Sequence, residues 1–352
     1  MGKMNSYNED ILHIFNLDLP WEKLAGANIL ITGATGLIGG CLTEVLMVNP
    51  NRNYQVYASG RNEERARKRF RRFKNDKSFH FIHYDVLQPL ESNICFDYII
   101  HAASNASPNF FVQKPVEIIK SNIRGVENLM EYGLAHKLKR FVFVSSGEVY
   151  GDGNNLEFTE DYSGYVNCTT LRSCYPSSKR AAESLCIAYA EEYGVDVVIA
   201  RPCHTYGPYF TEQDNRVYAQ FFRNALNGED IIMKSSGEQV RSWCYVVDCI
   251  SALLYIMLKG TSEHAYNVAN SNFVLSIKQF ADTIAKLSGT NVIIKLSSQS
   301  NNSTPINRAV FNIDKLKKLG WNSNFNFEES LKNSIKEQKK YNNENNSAKD
   351  TF

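Results

Sequence analysis

Short apolar runs of strand length alternate with longer segments of helical periodicity through the first part of the chain. Helices are predicted near residues 37–48, 62–73, 115–136 and 175–193. The apolar runs are continuous and rich in β-branched residues, as is typical of parallel strands covered on both faces. They are NILIT (28–32), YQVYAS (54–59), FHFIHYD (79–85), DYIIHAA (97–103), RFVFVSS (140–146) and VDVVIAR (195–201). This order predicts an α/β fold with a Rossmann-like doubly wound parallel sheet.

After Pro208 the pattern changes to shorter elements, which predicts a smaller C-terminal substrate-binding lobe. Its helices are expected near residues 215–227, 246–258 and 276–287, and its strands near Ile231–Met233, Tyr266–Val268 and Val292–Lys295. The expected organisation is an N-terminal extension (1–26), a dinucleotide-binding domain (27–207, with 241–260 returning to it), a nucleotide-sugar-binding lobe (208–340) and a disordered Asn-rich tail (341–352).

Composition restricts the class of function. The chain has 352 residues and a formal net charge of +2, so it has no broad basic field and we expect no nucleic-acid partner. No apolar run approaches the roughly 18 residues that span a bilayer, and the N-terminus lacks a secretory signal, so we expect a cytoplasmic protein with no membrane partner. The eight cysteines show neither CxxC nor metal-ligand spacing, which predicts free thiols and no metal.

The motif ITGATGLIGG joins the first predicted strand to the first predicted helix. Its GxxGxxG spacing lets the backbone turn sharply and approach a pyrophosphate, while the helix N-terminus offers free N–H groups to the anion. A glycine pattern in this position near the start of a βαβ array indicates dinucleotide binding. The residues expected to contact the dinucleotide here are Gly33, Thr35, Gly36, Leu37, Ile38 and Gly39.

The segment ASGRN, after the second predicted strand, bears on the choice between NAD and NADP. An acidic residue there would bind the adenosine ribose 2′-hydroxyl, but no Asp or Glu precedes Arg61. Arg61 can pair with a 2′-phosphate, which tilts the expectation slightly toward NADP, although it could instead stack on adenine or face water. Asp85, with Val86 after it, is placed to accept a hydrogen bond from the adenine amino group. The expected cofactor is therefore tightly bound NAD or NADP.

Tyr175 and Lys179 lie four residues apart at the start of a predicted helix, so they share one face. A phenol has a pKa near about 10, and acting as a base near neutral pH requires a shift of roughly 3 units, or about 4 kcal/mol. A neighbouring ammonium group shifts the pKa in that direction. Together with the glycine motif and Ser146 at the end of the fifth predicted strand, the pair predicts an oxidoreductase-type catalytic group rather than a coincidental helical pair.

With these motifs the chain resembles the extended short-chain dehydrogenase/reductases that act on nucleotide sugars, over roughly residues 27–335. Within that family it is most similar to the UDP-glucuronate decarboxylases. The segments that carry this closer similarity are HYDVLQPL, TEDYSGYVNCTTLRSCYPSSKRAAE, EQDNRVYAQFFRNALNGE and EQVRSWCYVVD. The resemblance implies that Ser146 and Tyr175 share the C4 hydroxyl of the sugar, with Tyr175 taking its proton and Lys179 supporting it. It also implies that Glu148 lies beside C5 and C6.

The resemblance assigns further contacts by position. Those with the dinucleotide are Ala102, Ala103, Ser104, Asn122, Ser145, Arg201 and His204, in addition to Tyr175 and Lys179. Those with the substrate are Ser107, Glu148, Arg172, His204, Arg216 and Arg241, of which Arg241 is expected at the pyrophosphate. Asn122 is expected to bridge the fourth and fifth strands. Relatives pair two helices into a four-helix bundle, so a homodimer is expected, with Leu129, Ala182, Leu185 and Ala188 as candidate contacts.

Departures from the family pattern leave the reaction open. Gly147 stands where the decarboxylases have Ser and the 4,6-dehydratases have an Asp that protonates the leaving hydroxyl, so dehydration ranks low. His204 replaces an Asn that holds the sugar or phosphate. Decarboxylation of a nucleotide-linked uronic acid is the first expectation, and 4-epimerisation or NADPH-dependent 4-keto reduction is the alternative. A non-catalytic NADP-binding sensor is disfavoured, because it would not need Tyr175, Lys179 and Ser146 together.

Overall fold

The computed structural model describes residues 6–153, 157–296 and 307–347. Its strands are β1 (Asn28–Thr32), β2 (Gln55–Gly60), β3 (Phe79–His83), β4 (Tyr98–His101), β5 (Arg140–Val144), β6 (Glu157–Phe158), β7 (Val197–Pro202), β8 (His204–Tyr206), β9 (Ile231–Met233), β10 (Val240–Tyr245), β11 (His264–Val268), β12 (Val274–Ser276), β13 (Val292–Ile294) and β14 (Arg308–Phe311). Its helices are α1 (Tyr7–His13), α2 (Leu37–Val48), α3 (Glu63–Arg69), α4 (Pro108–Gln113), α5 (Pro115–Ala135), α6 (Cys174–Tyr193), α7 (Val217–Asn227), α8 (Val246–Lys259), α9 (Ile277–Ser288), α10 (Asp314–Lys317) and α11 (Phe327–Ser347).

A seven-stranded sheet forms the centre of the molecule. Its strand order is β3-β2-β1-β4-β5-β7-β11, and every neighbouring pair in it is parallel. The sheet is covered on both faces. In β1, Ile29 and Ile31 are buried in one apolar cluster, whereas Leu30 between them is buried in another. The strand order reverses between β1 and β4, which opens a crevice at the carboxyl ends of the strands where ligands of such folds bind. The predicted Rossmann-like α/β fold is confirmed.

Smaller sheets form the wall above this crevice. One has the order β12-β10-β14-β6, with β8 also pairing with β10, and another consists of β9 and β13. Because β8 follows β7 after one residue and pairs with β10, the second sheet starts beside the carboxyl end of the first. Helix α8, which follows β10 directly, packs against α2 of the large sheet. Residues from both sheets therefore face one cleft.

Two expectations about the periphery were wrong. The strand predicted at Tyr266–Val268 in the small lobe is part of β11, which pairs with β7 at the edge of the large sheet. The tail from Tyr341 is not irregular, because α11 continues to Ser347 despite its Asn-rich composition, and residues 348–352 lie outside the described ranges. The strand expected near Val292–Lys295 is present as β13, which spans Val292–Ile294. Pairing with a distant strand and packing of a helix on the body are tertiary effects that local composition does not report.

Helix α1 shows that the N-terminal extension is folded onto the body. Ser6 and Glu9 form a reciprocal capping box at its start, and Tyr7, Ile11 and Ile14 are buried in the main apolar cluster. Within the described ranges, no helix has both the length and the apolar character needed to cross a membrane. All eight cysteines lie in these ranges as free thiols, and six of them are buried.

Candidate active site

The glycine-rich loop lies between β1 and α2 and leaves space that side chains would fill. Gly33 has φ +68°, and a Cβ there would lie 2.7 Å from the carbonyl oxygen of Ala102 and the backbone nitrogen of Ala103. A Cβ on Gly39 would lie 2.5 Å from the Gly33 oxygen. Gly36 is the N-cap of α2 and has no side chain with which to cap the helix. The loop therefore presents an open helix N-terminus, which fits the pyrophosphate of a dinucleotide.

The other residues expected at the dinucleotide surround this loop. Leu37 and Ile38 begin α2, while Ala102, Ala103 and Ser104 follow β4, the strand beside β1. Thr35 lies near Gly60 at the end of β2, since a Cβ on Gly60 would be 3.4 Å from the Thr35 hydroxyl oxygen. The buried Val86 packs on the α5 side of the sheet.

Arg61 has acidic neighbours that the sequence pattern did not reveal. Its Nη1 donates to Glu117 Oε1 of α5 at 2.9 Å and lies 3.8 Å from Asp85 Oδ2. The hydrogen bond from Arg61 is the main cause that lowers the pKa of Glu117. The guanidinium of Arg61 is thus already opposite two carboxylates.

Tyr175 and Lys179 lie on one face at the start of α6, below the end of β5. The Tyr175 ring is 5 % exposed and stacks on Phe111 at a centroid distance of 4.8 Å. Lys179 Nζ donates to the Val144 carbonyl at 2.9 Å and lies 6.0 Å from the Tyr175 ring centroid. The shared face predicted from the four-residue spacing is therefore present.

The electrostatics of the pair differ from the sequence expectation. Burial raises the pKa of Tyr175, while hydrogen bonds with Ser146 and Ser104 and the charge of Arg216 lower it in part. Burial also lowers the pKa of Lys179 to about 7. The hydroxyls of Ser146 and Ser104 and the guanidinium of Arg216 are the groups that favour the phenolate.

Glu148 faces the same cleft and is held by Arg172. Ser146 caps the short 3-10 turn Gly147–Tyr150 by accepting from the Glu148 amide at 3.2 Å. The Glu148 carboxylate accepts from Arg172 Nη2 at 2.6 Å, and the Arg172 guanidinium lies over the Phe111 ring at 5.0 Å. A series of contacts therefore runs beside the Ser146 hydroxyl, from Tyr175 through Phe111 and Arg172 to Glu148.

Two more arginines and His204 line the cleft. Arg216 is held by a bidentate contact with Asp214, with Nε–Oδ1 at 3.0 Å and Nη2–Oδ2 at 2.6 Å. Arg241 is 4 % exposed and donates to the Val240 carbonyl at 2.8 Å. The His204 side chain is accessible from the cleft. Its pKa nevertheless lies well below the usual range, because the surrounding protein desolvates the imidazole and the guanidinium groups of Arg241, Arg216 and Arg172 add positive charge nearby. The imidazole is therefore neutral at physiological pH.

For some expected site residues the structure shows contacts with other parts of the protein. The guanidinium of Arg201, expected at the dinucleotide, pairs with Glu183 at 2.6 Å and donates to the Tyr150 hydroxyl at 3.1 Å. The Ser107 hydroxyl, expected at the substrate, bonds to Asn215 and so joins the loop after β4 to the start of α7. The buried hydroxyl of Ser145 has no hydrogen-bond partner within the described part of the chain.

Asn122 makes a different bridge from the one expected between two strands. Its Oδ1 accepts from the Ser104 hydroxyl at 2.8 Å, and its Nδ2 donates to the Ser178 hydroxyl at 2.9 Å. Ser178 in turn donates to the Cys174 carbonyl at 2.5 Å. Asn122 therefore connects the loop after β4, where Ser104 contacts Tyr175, to the helix that carries Tyr175.

The structure adds an aromatic wall that sequence reasoning missed. Phe311 of β14 lies against Gly147, and a Cβ on that glycine would come within 2.5 Å of the Phe311 Cε1 atom. Trp243, Tyr218 and Phe111 line other parts of the cleft. Position 147 therefore cannot carry a side chain unless Phe311 moves. The signal in the sequence was the glycine itself, at a position where the family resemblance implied a side chain.

Comparisons with known proteins agree with this geometry. Residues 29–269 match the model of the NAD dependent epimerase/dehydratase family. The chain belongs to this family. Among curated members it is 34% identical over 308 residues to UDP-glucuronic acid decarboxylase 6 of Arabidopsis thaliana, covering 86% of each chain. It is also 34% identical over 310 residues to UDP-glucuronic acid decarboxylase 1 of Xenopus tropicalis, covering 87% of this chain and 71% of the relative.

Solved structures of the epimerase/dehydratase family share the fold. The UDP-glucose 4-epimerase of Thermotoga maritima, solved with UDP-glucose, matches with a TM-score of 0.76 at 23% identity and covers 90% of this chain and 99% of its own. The dTDP-glucose 4,6-dehydratase of Bacillus anthracis, solved in complex with NAD, matches with a TM-score of 0.75 at 22% identity, covering 91% and 98%. At these identities the likeness establishes the architecture alone.

Proposed function

We propose that the protein is a nucleotide-sugar decarboxylase that oxidises C4 of a nucleotide-linked uronic acid and releases its carboxyl group as carbon dioxide. The observation that carries the proposal is Glu148, which lines the same cleft as Ser146 and Tyr175 and forms an ion pair with Arg172. The curated relatives at 34% identity, which are named as UDP-glucuronic acid decarboxylases, support it. The positive charges of Arg216 and Arg241 suit a substrate that carries a diphosphate as well as a carboxylate.

The groups of the chain have separable roles in this reaction. Tyr175 takes the proton of the C4 hydroxyl, which Ser146 orients. A nicotinamide dinucleotide held at the glycine-rich loop would supply the hydride chemistry at C4. The 4-keto group makes the uronic acid a β-keto acid, so the C5–C6 bond breaks, carbon dioxide leaves and the electron pair remains on C5 as an enolate. In the proposal Glu148 and Arg172 lie beside these carbons, and Glu148 relays to C5 one proton from water, which takes the place of the lost carbon dioxide. Tyr175 then returns its proton to the C4 oxygen.

The sugar chemistry has a direct test. Substrate labelled in its C6 carboxyl group would be incubated with the protein, and labelled carbon dioxide and the pentose product would be measured by mass spectrometry. Glu148→Gln is expected to lower turnover by about 10²- to 10³-fold, by analogy with the loss of one preorganised electrostatic group. Absence of labelled carbon dioxide from every nucleotide-linked uronic acid tried would refute decarboxylation.

One observation favours a second function, C4 epimerisation or 4-keto reduction. Beside Ser146 the cleft wall is the Phe311 ring rather than a polar side chain at position 147, and these reactions need only Ser146, Tyr175 and Lys179. Turnover that survives Glu148→Gln, with C4 inversion or NADPH consumption on neutral sugars, would select this function. Dehydration is disfavoured because Phe311 occupies the space that an acidic side chain at 147 would need.

For the cofactor we propose NAD rather than NADP, which reverses the slight preference inferred from Arg61 alone. A 2′-phosphate at Arg61 would lie close to Glu117 and Asp85, which already contact this guanidinium. Like charges at such distances disfavour binding. Titration of the protein with each dinucleotide is expected to show tighter binding of NAD, and tighter binding of NADP would overturn this assignment.

A further inference from the structure

A buried ion pair lies next to the glycine-rich loop and has no role in the proposed reaction. Arg69 ends α3 and Glu44 lies on α2, and each side chain is only 2% exposed. Arg69 Nη2 is 3.3 Å from Glu44 Oε2, and Arg69 Nη1 donates to the Gly36 carbonyl at 3.3 Å. A Cβ on Gly40 would lie 2.5 Å from the Arg69 Cζ atom, so this glycine leaves room for the guanidinium.

Helix α1 contacts this ion pair directly, and helix α11 is connected to it through Tyr209. From α1, the Tyr7 hydroxyl donates to Glu44 Oε2 at 2.9 Å. The Arg69 guanidinium lies over the Tyr209 ring at 4.3 Å. The hydroxyl of Tyr209 in turn donates to Glu337 Oε1 of α11 at 2.5 Å. Tyr7 and Glu337 both lie outside residues 29–269, which match the family model.

We propose that Arg69 is a positioning residue for dinucleotide binding, which holds the Gly36 carbonyl and thereby the N-terminus of α2 that receives the pyrophosphate. Two effects act in the same direction. The hydrogen bond restrains the N-cap residue, and the positive charge adds to that of the helix N-terminus. Glu44 belongs to α2 two turns beyond the N-cap, so the cationic end of the pair is the end that contacts the loop. The inference depends on dinucleotide binding at this loop and not on the identity of the sugar.

A buried ion pair raises the question of whether its loss merely unfolds the protein. Removing one partner leaves an uncompensated buried charge, whereas replacing both by apolar side chains is often neutral for stability. The double variant Arg69→Met with Glu44→Leu therefore separates stability from positioning. Arg67→Met on the same helix is the matched control, because the Arg67 side chain is 78% exposed and its ion-pair partner is Glu63.

The experiment compares two probes in the intact chain. ADP-ribose contains the pyrophosphate, whereas adenosine does not. Titration with each ligand, followed by calorimetry or NMR, therefore measures how much the loop contributes to binding. In the double variant the dissociation constant for ADP-ribose is expected to rise about 10-fold, equivalent to about 1.4 kcal/mol, while that for adenosine stays near wild type. Tyr7→Phe, which removes one bond to Glu44, should weaken ADP-ribose binding in the same direction by a smaller factor.

Several results would overturn the proposal. If the double variant folds and binds ADP-ribose as tightly as the wild type, Arg69 has no positioning role. An equal loss of ADP-ribose and adenosine binding would show general loosening of the domain instead. If the double variant fails to fold, unchanged ADP-ribose binding by Tyr7→Phe would likewise exclude a positioning role for the ion pair. Because these titrations involve no uronic acid substrate, their outcome is independent of whether carbon dioxide is released.

Discussion

The contact between Gly147 and Phe311 leads to a prediction about both the stability of the protein and the shape of the cleft beside Ser146. Alanine at position 147 would bring its Cβ within 2.5 Å of Phe311 Cε1, a distance that real contacts do not reach. The Phe311 ring cannot retreat freely, because it is 5% exposed and packs edge-on against Tyr150 at 5.6 Å and Phe158 at 5.7 Å. The substitution must therefore displace a packed aromatic ring or the short turn Gly147–Tyr150.

The magnitude follows from two opposing effects. Forcing an extra methyl group into a packed site costs about 1–3 kcal/mol. Replacing glycine by alanine where φ is not positive stabilises by about 0.4–1 kcal/mol through the unfolded chain. The net expectation for Gly147→Ala is a loss of about 1–2 kcal/mol in the free energy of unfolding. In a Phe311→Leu background the cost should fall by about 1 kcal/mol, since the two sites are in direct contact.

Urea denaturation of the wild type, both single variants and the double variant measures this coupling. Gly60→Ala is the matched control, because a Cβ there would meet its nearest atom, the Thr35 hydroxyl oxygen, at an ordinary 3.4 Å. Equal costs of Gly147→Ala in the two backgrounds, or no cost in either, would refute the reasoning. By the same reasoning, a serine at position 147 should be accommodated only when Phe311 is shortened.

Four further predictions concern catalysis, cofactor choice, pH and assembly. Tyr175→Phe should lower turnover on the order of 100-fold or more while the dissociation constant for the dinucleotide stays unchanged, and near-normal turnover would remove the phenol from the mechanism. Glu117→Gln should shift the ratio of the two dissociation constants toward NADP, since it removes the carboxylate 2.9 Å from Arg61, and an unchanged ratio would contradict the NAD assignment. Burial raises the pKa of Asp248 to about 7, above the unfolded value of about 3.9, so its contribution to stability is full below the unfolded pKa and is lost as pH rises from there through about 7. Urea midpoints of Asp248→Asn should therefore vary less between about pH 5 and 8 than those of the wild type, and parallel profiles would contradict this assignment. Light scattering at micromolar concentration should give a homodimer mass, and a clean monomer would exclude it.

The dimer contacts expected from the sequence illustrate a limit of helical periodicity. Leu129 and Ala182 are fully buried in the cluster between α5, α6 and the sheet, so they are not available to a partner. Ala188 is exposed and Leu185 is half-buried. Periodicity identifies the apolar positions of a helix, but it does not separate those that face the sheet from those that face outward. Exposed apolar residues of α5, Val116 and Ile119, were not among the expected contacts.

The sheet and the nucleotide loop could be predicted because their causes are local. Strands covered on both faces must be continuously apolar, and the run at Asn28–Thr32 was therefore found with its bounds correct. The pair Tyr175 and Lys179 was found because helical spacing fixes a shared face. The bonds of Arg201 to Glu183 and of Ser107 to Asn215 could not be found in this way. Each joins elements that are distant in sequence, and only the fold decides which partner a polar side chain meets.

Gly147 shows how a local departure acquires its meaning from a distant residue. Seen alone, a glycine between Ser146 and Glu148 implies only a missing proton donor. The structure shows that the space is occupied by Phe311, which lies on the second sheet and enters the cleft opposite the carboxyl ends of β5 and β7. The lack of a side chain at 147 and the apolar ring from β14 therefore shape the same part of the cleft. In the proposed reaction the protein supplies a base at the C4 hydroxyl, Tyr175, and a carboxylate near C5, Glu148. The reaction cannot depend on a proton donor from position 147.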